Sequence, residues 1–259
     1  MIGIFDSGIG GLTVVKAVEQ LLPKVPFLYL GDTARLPYGN KSAETVIRYA
    51  LEDAAFLVKE GATMLVVACN TMSSVAIPAL KKAYPTLPII DVIEPAIQEA
   101  LKITAGRIGV IGTRATVASG VYQARLKERH AKATIFAQAC PLLVPLVEEN
   151  WLDRPVTKMV VRGYLSGLKH KSIDSLILGC THYPLLRSLI KAKAGKRVRL
   201  VDPAEETARA IQEALTAHPE LASANASSRF FLTDLTPQAE QLAARWLGHE
   251  VKFEKASLE

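Results

Sequence analysis

The sequence predicts an α/β protein of two similar domains, each a parallel sheet flanked by helices. The two are related by pseudo-twofold symmetry, with the active site in the cleft between them. Three observations carry this expectation. Short apolar runs alternate with helical stretches along the 259 residues, the pattern of doubly wound sheets. Several early runs are apolar at successive positions, as strands buried on both faces must be. The chain also half-repeats. IGIFDSGIGGLTVV from Ile2 has a counterpart in IGVIGTRATVASGV from Ile108, and MLVVACNT from Met64 has one in SLILGCTH from Ser175. Two separate motifs recurring after nearly the same interval are hard to obtain by chance.

In chain order the strand expectations are 2–5, 27–30, 64–68, 89–92, 108–111, 133–137, 175–178 and 198–201. Near the end follow 229–232 and a weak run at 250–253. Helical periodicity covers 11–22, 42–60, 71–84, 94–104, 115–130, 155–168, 184–194, 203–217 and 236–247. The first domain is read as 1–95 plus the returning tail 207–259, and the second as 96–206. No flexible linker separates them, so the join near Glu94-Pro95 reads as a short hinge.

Composition narrows the function classes. Hydrophobic residues make up 49% of the chain and aromatics only 6%, which suits buried sheets and excludes a disordered or fibrous protein. No apolar run reaches the roughly 18 residues of a membrane span, and no basic, apolar leader pattern precedes the first strand. Three cysteines, Cys69, Cys140 and Cys180, are too few and too odd for a disulfide framework and point to a reducing cytoplasm. The net charge of +6 invites a nucleic-acid reading. The basic residues are dispersed, however, and the densest stretch, KAKAGKRVR at 191–199, carries no aromatic to stack on a base. A solvated face and a mild attraction for small anions fit better.

The chemistry-bearing residues sit at strand ends. Cys69 and Cys180 each follow the last apolar residue of a strand and precede a polar pair and a helix, Asn70-Thr71 in one case and Thr181-His182 in the other. A helix N-terminus lowers a thiol's pKa, which would poise both sulfurs for acid/base work. Cys140 lacks that context and reads as packing. No CxxC or HxxxH spacing supports a metal, which needs three or four convergent ligands.

FDSGIGG at 5–11 offers a tight turn and backbone N–H groups. Its glycine spacing and Asp6 argue against a dinucleotide and in favour of a carboxylate-sized ligand. Asp6 either caps the next helix or serves a substrate ammonium and Cys69. Tyr38, in GDTARLPYG, either closes the pocket or belongs to a plain turn. Thr113 and Thr116, in the matching IGTRAT turn, either supply hydroxyls or cap a helix. Glu148 faces either solvent or the cleft.

FDSGIGGLTV, GDTARLPYG, VVACNT, VIGTRAT and LGCTHYPLL together resemble the glutamate racemase family of the aspartate/glutamate racemase superfamily. The resemblance runs from Ile2 to about Asp202. It implies that Cys69 and Cys180 are the catalytic thiols, assisted by Asp6, His182 and Glu148. It places Asp6, Ser7, Tyr38, Gly39, Asn70, Thr71, Thr181 and His182 at the substrate. It further implies glutamate as substrate, D-glutamate for bacterial peptidoglycan as product, and a cytoplasmic homodimer using no pyridoxal phosphate, metal or nucleotide. The Glu148 correspondence is complicated by Glu149 beside it. Three rivals stand: an aspartate racemase, a binding protein on the same plan, and a racemase that also binds DNA or a topoisomerase.

Overall fold

The computed structural model describes residues 1–222 and 226–258. Among the described residues ten strands form two sheets: β1 (Ile2–Asp6), β2 (Phe27–Gly31), β3 (Met64–Val67), β4 (Ile89–Asp91), β5 (Arg107–Gly112), β6 (Thr134–Ala139), β7 (Ser175–Gly179), β8 (Arg199–Val201), β9 (Arg229–Leu232) and β10 (Phe253–Lys255). The first sheet has the order β10-β9-β2-β1-β3-β4 and the second β6-β5-β7-β8, and every adjacent pair is parallel. With β9 and β10 set aside, both sheets follow one plan: second strand, first, third, fourth. The half-repeat is thus a repeat of topology, in which β1 answers to β5 and β3 to β7. In each sheet the order reverses between those two strands, and their carboxyl ends form the crevice where such sheets take ligands.

Strand parity divides the core. Ile2 and Ile4 of β1, and Leu176 and Leu178 of β7, belong to one apolar cluster that runs through both sheets. Their neighbours Phe5 and Ile177 turn to separate clusters on the outer faces, as the two-residue period of a strand requires. The Pro203–Ala217 helix contributes Ala204, Ala208 and Ile211 to the shared cluster and packs on both the Leu12–Leu21 and Ile93–Ile103 helices. Its Asp202 cap accepts from the Ala204 N–H, and Ser42 and Thr236 cap two other helices in the same way, each satisfying an otherwise orphaned donor.

Three local expectations need revision. The helix expected at 71–84 is two, Asn70–Val75 and Ile77–Ala83, because Pro78 cannot continue a helix but fits its first turn. The stretch at 115–130 breaks into Arg114–Ala118 and Val121–Arg129 around a left-handed Gly120 with φ of 68°. Residues after Cys180 form a short 3-10 turn, Tyr183–Leu186, before the Arg187–Ala194 helix. Glu94 and Pro95, where the join between the domains is expected, lie in the first turn of the Ile93–Ile103 helix, and Glu94 pairs there with Arg125 and Arg129.

Candidate active site

The carboxyl ends of β1, β3, β5 and β7 converge on one cavity of about 320 Å³. From the first sheet's side it is lined by Ser7, Tyr38, Gly39, Cys69, Asn70 and Thr71, and from the second's by Thr113, Glu148, Cys180, Thr181 and His182. Two expected residues are not on its wall. Asp6 is fully buried beneath it, and Thr116 stands behind Thr113 in a triangle of hydroxyls. The Thr71–Thr113 and Thr113–Thr116 oxygens are 3.0 Å apart, and Thr71–Thr116 are 3.4 Å apart. Thr113 also accepts from the Thr116 N–H, so its capping and cavity-lining roles coincide.

Asp6 does not cap the following helix, whose cap is Gly11. Its Oδ2 accepts from the Gly8 N–H at 3.0 Å, and its Oδ1 from the Thr181 hydroxyl at 3.4 Å. The second contact crosses between the sheets, as does the bond from the Thr13 hydroxyl to the Thr181 carbonyl at 2.9 Å. Burial raises the Asp6 pKa, against the opposing pull of His182 and the Gly11 and Gly8 amides. Gly10 is close enough to Thr181 and His182 that a Cβ there would fall 2.4 Å from the Thr181 hydroxyl and 2.5 Å from the imidazole.

The two sulfurs have different surroundings. Cys69 caps the Asn70–Val75 helix and donates to the Ser7 hydroxyl at 3.5 Å. Burial first, and the Asp6 charge second, push its thiol up to about 12, overriding the Ser7 contacts and the Met72 amide that favour thiolate. The expectation that the helix end lowers this pKa is therefore corrected: a two-turn helix offers too little against full burial beside a carboxylate. Cys180 lies 3.8 Å from His182 Nδ1. His182 Nε2 in turn lies 3.1 Å from Glu148 Oε1, so Glu148 rather than Glu149 completes the row. Burial pulls the His182 pKa down, yet its bonds to Cys180 and Glu148 more than compensate and hold it at about 10. At neutral pH an imidazolium therefore faces the Cys180 sulfur.

The Tyr38 ring lines the cavity but its hydroxyl does not serve it, donating instead to Asp32. Asp32 also accepts from Arg35 and from Thr233 at 2.9 Å, and Arg35 binds buried Asp53 at 2.9 Å and Glu52 as well. Several neighbours were not singled out from the sequence. Leu36, Pro37, Pro141, Val144 and Pro145 give the cavity apolar walls, and Arg114 adds a cation. Trp246, from the tail, stands edge-on to His182 with ring centres 5.7 Å apart. Arg114 was legible as a charge inside the IGTRAT turn. Trp246 left no local signal.

A family model described as Asp/Glu/Hydantoin racemase matches residues 2–211. The chain belongs to that racemase family. Among its relatives, a glutamate racemase of Geobacter metallireducens is 46% identical over 250 residues, covering 95% of this chain and 92% of the relative. One of Aquifex pyrophilus is 49% identical over 251 residues, with 96% and 94% covered. The glutamate racemase isoform RacE1 of Bacillus anthracis superposes with a TM-score of 0.95 at 40% identity, covering 100% of this chain and 97% of that one. The Francisella tularensis glutamate racemase, solved with D-glutamate, gives 0.93 at 32% identity with the same coverage. The aspartate racemase of Picrophilus torridus, at 18% identity and a TM-score of 0.57 over 83% of this chain and 94% of that one, shares the fold alone.

Proposed function

We propose that this racemase-family chain interconverts L- and D-glutamate by two-base proton transfer between Cys69, Cys180 and the substrate α-carbon. The observation that carries the reading is positional: the two cysteines end equivalent strands of two sheets with one plan, and both line one cavity. Inverting a stereocentre by proton transfer needs removal from one face and delivery to the other. A single base would have to travel around the carbon; two bases on opposed elements need not. The relatives' names and the Francisella complex with D-glutamate support glutamate over aspartate.

In each turnover one sulfur takes the α-proton as the other gives its own, so the roles exchange with direction and the protein's proton count is unchanged. Burial holds Cys69 as the thiol, the form in which it is the donor for one of the two directions. The α-hydrogen is a weak acid, so the carbanionic transition state needs stabilisation from fixed donors in a water-poor site. Thr71, Thr113 and Thr181 supply hydroxyls there, and Asn70 an amide. Imidazolium at His182, held by Glu148, places a positive charge beside Cys180 that favours its thiolate. The division into 1–95 with 207–259 and 96–206 belongs to the same proposal, as do a supply of D-glutamate for peptidoglycan, a cytoplasmic location and a homodimer.

The deciding experiment follows solvent-deuterium incorporation during turnover from each enantiomer. Cys69→Ser and Cys180→Ser are each expected to lose racemisation by at least about 10³-fold; full activity in either variant would overturn the mechanism. Circular dichroism on glutamate and aspartate enantiomers separates the two substrates.

A further inference from the structure

Tyr122 is the second residue of the Val121–Arg129 helix in the second half. Its ring is buried among Ile93, Ile97, Val110, Leu126 and Ile177, and it touches both cysteine segments. One ring edge lies against Gly179, the residue before Cys180, where an added Cβ would come within 3.3 Å of Tyr122 Cε2 and 2.7 Å of the Ile111 carbonyl oxygen. Its hydroxyl donates to Oδ1 of Asn70, the residue after Cys69, at 2.7 Å. A phenol this deeply buried stays protonated, its pKa raised by burial and then by the Asp91 charge, so it remains a donor throughout the neutral range.

That bond has a geometric consequence. A carboxamide has one acceptor end and one donor end. With Oδ1 engaged by Tyr122, Asn70 is left with its Nδ2 as the free end. Asn70 is 3% exposed and lines the cavity, and among the described residues nothing accepts from its Nδ2. A buried donor without an acceptor is costly, and one that stands at a cavity wall calls for a partner from the ligand.

We propose that Tyr122 is a positioning residue for the substrate carboxylate. Its hydroxyl fixes the Asn70 carboxamide with Nδ2 toward the cavity, where an N–H donates to a carboxylate oxygen of bound glutamate. Because Tyr122 packs on Gly179 and bonds Asn70, the same side chain ties the register of the Cys180 segment to that of the Cys69 segment. The proposal rests on glutamate being the ligand of this cavity.

The test is a double-mutant cycle read as D-glutamate affinity by titration calorimetry, which needs no turnover. Tyr122→Phe removes one oxygen and leaves the ring against Gly179. It is expected to weaken binding about tenfold, with KM rising in step and kcat changing less. Asn70→Ala is expected to weaken binding at least as much, and adding Tyr122→Phe to it should cost less than about twofold more. Unchanged affinity in Tyr122→Phe, or penalties that simply add, would overturn the proposal. The native chain gives a second reading that needs no folded variant at Tyr122. With ¹⁵N-asparagine labelling, the Asn70 side-chain NH₂ signal, assigned by its loss in Asn70→Ala, should shift on saturation with D-glutamate, and an unmoved signal overturns the assignment. Absence of glutamate binding by the native chain would instead strike the proposed function, and it is seen before any variant is made.

Discussion

His182 stands between two partners, its Nε2 3.1 Å from Glu148 Oε1 and its Nδ1 3.8 Å from Cys180 Sγ. The row carries a proton that the isolated side chain would have lost at neutral pH, since its pKa stands at about 10 against an ordinary 6.5. A folded-state pKa above the unfolded one gives stability that is fully present below about 6.5 and is lost as pH rises through about 10. Urea unfolding should therefore show the native protein losing stability across that window. Glu148→Gln should lose about 1–3 kcal/mol at neutral pH, the worth of a hydrogen bond to a charged group. It should also show a flatter dependence, because one of the two partners that raise the pKa is gone. An unchanged slope would show that Glu148 does not hold the proton.

Asp6 acts on Cys69 through charge rather than contact, since the sulfur's side-chain bond is to Ser7. Asp6→Asn removes the second-largest cause of the raised thiol pKa. At about pH 9 the Cys69 of this variant should react with iodoacetamide severalfold faster than in the native chain, as its thiolate fraction grows. Peptide mass mapping distinguishes Cys69 from Cys140 and Cys180. Equal rates would mean that burial alone sets the pKa.

Arg35 binds two fully buried carboxyl groups, Asp32 and Asp53, and burial with the neighbouring acids raises the Asp53 pKa well above its usual value. Arg35→Ala should destabilise the protein by about 3–5 kcal/mol, because it leaves two buried carboxyl groups without their guanidinium partner. It should also raise KM, because Asp32 anchors the Tyr38 hydroxyl in the loop that lines the cavity. Arg35→Lys should restore little of either, as a single ammonium cannot serve Asp32, Glu52 and Asp53 at once. Urea denaturation and steady-state kinetics on the two variants check both effects.

Gly10→Ala places a methyl group 2.4–2.6 Å from the Thr181 hydroxyl and the His182 ring. The clash falls on catalytic geometry, so kcat should drop by about 10²-fold or more while the melting temperature falls by only a few degrees. A loss of activity no larger than the loss of folded protein would show that the ring can give way.

The outline of the fold was legible in the chain because its signals are local. Apolar runs with strand length, helical periodicity between them, and Cys69 and Cys180 at matching strand ends each occupy a few consecutive residues. The half-repeat carried the rest, since two copies of one strand-turn-helix pattern imply one plan used twice. Short-range detail was less secure where two signals overlapped, as at Pro78 and at Ser119-Gly120, where a continuous helical pattern concealed a break.

By itself the sequence determined two parallel sheets, a cavity at their carboxyl ends, and the pair of thiols that reach it. Only the tertiary structure decided how those thiols are tuned. The charge of Asp6 on Cys69 and the contacts of Glu148 and Trp246 with His182 and of Tyr122 with Asn70 join residues far apart in the chain, and no periodicity encodes them. The physical reason is the range of the forces. Backbone preference and strand alternation act over a few residues, while desolvation and Coulomb interactions act through space on whatever the fold brings near. Cys69 shows the difference: local pattern predicted a lowered pKa, and burial beside Asp6 raised it to about 12.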